Sequence, residues 1–106
     1  MNAKRKGSRN EHKTIALLEK QGFSCCRAAA SLGAWDIIAV SPARVLLIQV
    51  KSNRRPGRAE MDRLRVFKAP MCCVAKQLWI WKDRVAVPVI IPIETVEGGD
   101  LERAVA

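Results

Sequence analysis

Residues 35–52, WDIIAVSPARVLLIQVKS, decide the fold. Two apolar runs flank Ser41-Pro42-Ala43-Arg44, so the pattern predicts strands over 35–40 and 44–51 joined by a tight turn about Pro42-Ala43. Partners in an antiparallel hairpin centred there have numbers summing to 85, which puts Asp36 opposite Gln49 with Cβ atoms about 5 Å apart. Lys51 shares a face with Gln49 and lies diagonal to Asp36. The remaining residues are apolar on both faces, as in a central strand pair covered from both sides. A carboxylate, an amide and an ammonium in such a setting are costly unless paired or bound to something. A divalent cation with a phosphate satisfies all three, and an Asp36 to Lys51 ion pair beside an amide hydrogen bond is the structural alternative.

Upstream, Ser8-Arg9-Asn10-Glu11 reads as a capping box opening a helix that Gly22 closes at about Gln21. Glu11, Ile15 and Leu18 fall at i, i+4 and i+7, so Glu11 is expected on the inward stripe and within reach of the site. Phe23 to Ala28 is a first strand, followed by a small-residue loop, 29–34, that contains Ser31. Downstream, Pro56-Gly57 breaks the chain and Arg58 to Lys68 reads as a short helix with Met61, Leu64 and Phe67 inward. Met71 to Ala75 reads as strand or loop, Leu78 to Trp81 as a strand, and Val85 to Ile91 as a strand whose Pro88 points to a sheet edge. Gly98-Gly99 precedes a possible last helical turn over 100–105. The sum is one α/β domain, 1–106, with a mixed central sheet flanked by helices and residues 1–7 as a basic, flexible arm.

The 106 residues carry a net charge of +9, and its distribution is uneven. Residues 1–58 hold 12 Lys and Arg against 3 Asp and Glu, whereas 59–106 hold 7 of each. Lys4, Arg5, Lys6 and Arg9 precede the first helix, and Arg54, Arg55 and Arg58 follow Lys51, a footprint expected of phosphate binding. A solvated tail and loop is the plainer account of the same charges. The start is polar and no apolar run approaches a membrane span, which places the chain in the cytosol. Cys25-Cys26 and Cys72-Cys73 lack zinc-site spacing and are expected as reduced, partly buried thiols. Trp79 and Trp81 share one strand face, which favours core packing over base stacking, and His12 is expected at the surface.

These residues resemble the PD-(D/E)xK nuclease superfamily and, within it, the archaeal-type Holliday junction resolvases, which also occur in phages; small VRR-type nucleases come second. The resemblance covers about Arg5 to Phe67. It rests on Lys4-Arg5-Lys6-Gly7-Ser8 running into Glu11, Gly22-Phe23, Arg27, Ser31, Asp36-Ile37-Ile38-Ala39 and Gln49-Val50-Lys51-Ser52. It implies a restriction-endonuclease-like fold and a Mg2+-dependent endonuclease, with Mn2+ as the other candidate ion. Glu11, Asp36 and Gln49, with the Val50 carbonyl, would hold the ion. Lys51 would orient or help activate the attacking water, and Ser31 would contact a phosphate or water. Arg27 joins the basic residues named above in binding DNA, and the implied substrate and assembly are a four-way junction and a homodimer. Gln49 departs from the family pattern, which most often has Glu, so a non-catalytic DNA-binding domain is the alternative. A less selective flap or duplex nuclease is another.

Overall fold

A computed structural model describes residues 3–28, 35–70 and 72–96, with side chains from Gly7 onward. Seven elements follow one another: α1 (Ala3–Lys20), β1 (Ser24–Arg27), β2 (Ile37–Val40), β3 (Val45–Ser52), α2 (Arg58–Val66), β4 (Val74–Trp81) and β5 (Val89–Ile93). The strands form one sheet in the order β1-β2-β3-β4-β5. All neighbours are antiparallel except β3 and β4, which are parallel because α2 carries the chain back between them.

The hairpin register is the one the sequence predicts. Ile37 pairs with Ile48 and Val40 with Val45. The connection is the expected tight one about Pro42-Ala43: the Ser41 amide donates to the Arg44 carbonyl, and the Ser41 hydroxyl accepts from the Ala43 and Arg44 amides. Strand β2 begins at Ile37, so the ladder does not extend to Asp36.

Alternation along β3 divides the core in two. Leu46, Ile48 and Val50 pack with Leu18, Phe23, Trp79 and Trp81 under α1. Leu47 faces the other way and packs with Trp35, Leu64, Leu78, Ile80 and Ile93 under α2. Both sheet faces are therefore covered, and Trp79 and Trp81, 2% and 3% exposed, are core residues.

Helix α1 starts earlier than its capping signal. It begins at Ala3, which puts Ser8 inside the helix rather than at its cap and makes 3–7 of the anticipated arm its first turns. Its C-terminus matches the expectation: Gly22, at φ +93°, follows the helix, and the Phe23 and Gly22 amides return to the Leu18 and Glu19 carbonyls. The inward stripe is Asn10, Thr14 and Leu18 instead of Glu11, Ile15 and Leu18. The Thr14 hydroxyl donates to the Asn10 carbonyl at 2.8 Å and accepts from Trp81 Nε1 at 2.8 Å, locking α1 to β4.

Helix α2 ends at Val66, two residues short of the expected boundary, where Phe67 turns extended. The cause is Lys76, a buried lysine on β4 whose Nζ donates to the Leu64, Arg65 and Phe67 carbonyls at 2.7, 2.9 and 2.9 Å. An ammonium is a favourable cap for the negative end of a helix. Burial lowers the lysine's pKa from its ordinary value. Strand β5 starts after Pro88 and carries Pro92 on the open edge, shifted from the predicted 85–91. The four cysteines are free, as expected; Cys25 is partly buried, whereas Cys26, Cys72 and Cys73 are exposed rather than partly buried. The Ser31 loop and the last helical turn fall outside the described residues.

Candidate active site

The site forms where β2 stops and β3 runs on. The Asp36 amide donates to the Ile48 carbonyl at 2.9 Å, although Ile48 already pairs with Ile37, so two residues of one strand oppose one of the other. This irregularity removes the direct Asp36–Gln49 opposition that the register alone implies. Instead, Asp36 Oδ2 accepts the Val50 amide hydrogen at 2.9 Å. The Asp36 carbonyl accepts from Ala28 at 2.8 Å, fixing the same residue from the β1 side.

Asp36 is raised above the usual carboxylate pKa. Desolvation by burial is the largest cause, the Val50 hydrogen bond and Lys51 oppose it, and the Glu11 and Glu60 carboxylates add to it. Three carboxylates, from α1, from α2 and from the residue before β2, thus share one electrostatic neighbourhood. Glu11 reaches it from α1 while paired with Arg27, whose Nε and Nη2 both approach Oε1, at 2.8 and 2.7 Å.

Gln49 and Lys51 project on the α2 side, where they meet a residue that the sequence reading missed. Glu60 Oε1 accepts from Gln49 Nε2 at 2.9 Å and pairs with Lys51 Nζ at 2.9 Å. The anticipated alternative of an Asp36–Lys51 ion pair is therefore corrected: the partner of Lys51 is Glu60. Glu60, Leu64 and Phe67 stand at i, i+4 and i+7, the same spacing that singled out Glu11, so the signal was available.

Gln49 is 6% exposed, and its Oε1 is buried without a hydrogen-bond partner. Leaving such an oxygen unpaired costs about 1–3 kcal/mol. Among the described residues no three His, Cys, Asp or Glu side chains could hold a metal ion by themselves. The oxygen donors present, an Asp36 carboxylate, the Gln49 amide oxygen and the neighbouring Glu11, nevertheless match the hard-ligand preference of magnesium or manganese.

Around this centre the expected basic residues are exposed: Arg9, Arg27, Arg54, Arg55 and Arg58. The side chains of Lys4, Arg5 and Lys6 lie outside the described residues. A cleft of about 380 Å³ continues the basic surface beyond Ser52, lined by Arg9, Asn10, Lys13, Trp81 and the β4–β5 turn Lys82-Asp83-Arg84. The turn is held there by main chain and side chain together. Asn53, at φ +66°, donates its amide to the Trp81 carbonyl, and its Oδ1 accepts from the Asp83 amide at 2.9 Å. Asn10 Nδ2 donates to the Ser52 hydroxyl from the α1 side. Lys13, Lys82 and Arg84 were not legible as a group, because only the sheet brings the 82–84 turn to the side of α1.

Comparison with known proteins bears on the family and the fold. The sequence model of the archaeal Holliday junction resolvase (Hjc) family matches residues 2–68, which include every described member of the cluster. The 1.6 Å structure of Archaeoglobus fulgidus Hjc, a Holliday junction resolvase from an archaeal hyperthermophile, is similar in fold. The TM-score is 0.67 at 24% sequence identity, over 82% of this chain and 72% of that one.

Proposed function

The chain belongs to the archaeal Holliday junction resolvase family, and on that premise we propose that it hydrolyses phosphodiester bonds in four-way DNA junctions with a magnesium or manganese ion bound beside Asp36. The observation that carries this reading is the buried, unpartnered Gln49 oxygen, on the residue that precedes the Val50 amide bound by the partly desolvated Asp36 carboxylate. Buried polar groups of this kind are costly unless paired, and both become useful around a cation.

We assign the ion to Asp36, Glu11 and Gln49 Oε1, with the Val50 carbonyl as a fourth donor. In extended backbone the amide and carbonyl of one residue point to the same side, so the Val50 carbonyl faces the gap from which Asp36 takes the amide. A bound divalent ion would polarise the scissile phosphate and acidify a water molecule. Lys51 offsets charge on the pentacoordinate phosphorus and orients the attacking water, released for this from part of its pairing with Glu60. Ser31 is assigned a phosphate or water contact on the resemblance. In-line attack by water at phosphorus, with the bond to the 3′ oxygen breaking, leaves a 5′-phosphate and a 3′-hydroxyl.

Arg27, Arg54, Arg55 and Arg58 grip backbone phosphates near the centre, and Lys4, Arg5, Lys6 and Arg9 extend the contact along α1. We further propose a homodimer, since a four-way junction offers two symmetry-related strands to a twofold pair of sites. Support comes from an apolar edge that a monomer leaves open, with Val85, Val87, Val89 and Ile90 at 45–64% exposure. No described helix is long and apolar enough to cross a membrane; a cytoplasmic location in an archaeal, bacterial or phage-infected cell suits the substrate.

The test is cleavage of an end-labelled immobile junction beside matched duplex, with either ion, by wild type and Asp36→Ala at low salt. Paired cuts confined to the junction and absent from Asp36→Ala are expected. Tight junction binding without cutting in either ion would instead support the DNA-binding alternative that Gln49 raises, and equal cutting of duplex would support the less selective nuclease.

A further inference from the structure

We propose that Glu60 is a positioning residue of the ion site: it supplies from α2 the negative charge that β3 lacks at Gln49, and it sets the orientation of the Gln49 amide. The inference rests on the reading of Asp36 and Gln49 as ion ligands and goes beyond it.

An ionised carboxylate only accepts, so the group that Gln49 turns toward Glu60 must be its NH2, as the 2.9 Å contact between Nε2 and Oε1 has it. The amide oxygen is then directed away from Glu60 and left buried without a partner, available to a cation. With a neutral, freely orientable group at position 60, the amide could present either end. The same Glu60 oxygen holds Lys51 at 2.9 Å, so one carboxylate fixes both members of the Gln-x-Lys pair. Glu60 is held for this task by its helix. It lies in the first turn of α2, next to Met61 and four residues before Leu64, both of which pack in the core under that helix.

Charge leads to the same conclusion. A glutamate at position 49 would place carboxylate charge on β3, whereas here the strand offers only an amide dipole. Glu60 returns one negative charge to the same neighbourhood, close enough to act on Asp36. Gln49 and Glu60 together carry the donor oxygen and the charge that a single glutamate would combine.

This account predicts that the two residues are exchangeable. In the double variant Gln49→Glu/Glu60→Gln the net charge is unchanged. The amide at position 60 donates to the carboxylate at 49, and its oxygen still accepts from Lys51, so both hydrogen bonds persist with the first reversed in direction.

The experiment is calorimetric titration of Mn2+ and Mg2+ into the DNA-free protein for wild type, Asp36→Ala, Glu60→Gln and the double variant, with circular dichroism to verify folding and junction cleavage as a parallel readout. Glu60→Gln is expected to weaken ion binding by about 10- to 100-fold, and the double variant to recover most of that loss. If Glu60→Gln binds ions as wild type does, Glu60 serves only as the counter-charge of Lys51 and the proposal fails. If the double variant does not recover, the loss is not one of transferred charge and the proposal also fails. Should Glu60→Gln fail to fold, the double variant alone decides, since wild-type-like binding requires the exchange to work. Failure of the function proposed above is distinguishable: wild type would then neither bind ions in an Asp36-dependent way nor cut junctions, whereas failure of the Glu60 role leaves both intact in wild type.

Discussion

Asp36 and Val50 are joined by a side-chain to main-chain hydrogen bond of 2.9 Å across the end of the β2–β3 ladder, where a carboxylate takes the place of a strand carbonyl. The bond keeps Asp36 half-buried, and burial is the leading cause of its raised pKa. A group whose folded pKa lies above its unfolded value opposes folding when ionised, fully so above the folded pKa, and this cost fades as pH falls through it.

Asp36→Asn retains an acceptor for Val50 and removes the charge. We expect it to be more stable than wild type at neutral pH in chelator, by on the order of 1 kcal/mol, or about 4–8 °C in Tm. The difference should shrink toward acid, where wild-type Asp36 is itself neutral. Thermal melts at a series of pH values check this, and a variant less stable than wild type throughout would refute the desolvation account.

Lys51→Ala should lose about 100- to 1000-fold in cleavage while binding junctions nearly as wild type does, because one cation among many contributes little to the backbone contacts. Single-turnover cleavage together with a binding titration separates the two effects. A parallel fall in affinity and rate would make Lys51 a phosphate-binding residue instead.

The cleft between α1 and the 82–84 turn extends the basic surface past the candidate site. Lys82→Ser with Arg84→Asn, the latter chosen because Arg84 sits at φ +63° and Asn tolerates that region, removes two cations without straining the turn. If both contact phosphates, the slope of log affinity against log salt should fall by about 1.8. An unchanged slope would show that junction arms do not reach this cleft.

Lys76 closes the C-terminus of α2 through three carbonyls, and its ammonium is buried. Replacing it by the similarly sized Met removes the donor to the Leu64 and Phe67 carbonyls, while the Arg65 carbonyl keeps the Val96 amide at 2.9 Å. Lys76→Met is expected to cost about 1–3 kcal/mol, lowering Tm by roughly 5–20 °C. Equal stability in denaturant titrations would mean that relief of the buried charge offsets the lost bonds.

What the sequence by itself determined is local or periodic. Alternation and turn residues specified the hairpin register, because a slip of one residue would turn Ile37, Leu46 and Ile48 out of the core. Gly22 fixed the end of α1, because an L side chain at φ +93° is strained. The polar trio Asp36, Gln49 and Lys51 stood out because polar groups amid apolar strands need partners. The start of α1 was misjudged at Ser8 because a capping pattern can lie within a helix whose preceding turns also form. Only the tertiary structure decided which partners the trio takes. The break in pairing at Asp36 depends on how β1, β2 and β3 meet. The approach of Glu60 depends on the crossover that sets α2 over the odd-numbered face of β3, and the capping of α2 depends on Lys76 arriving from the next strand. Such contacts join residues 9 to 12 positions apart through the packing of whole elements, and no spacing rule within a single element encodes them.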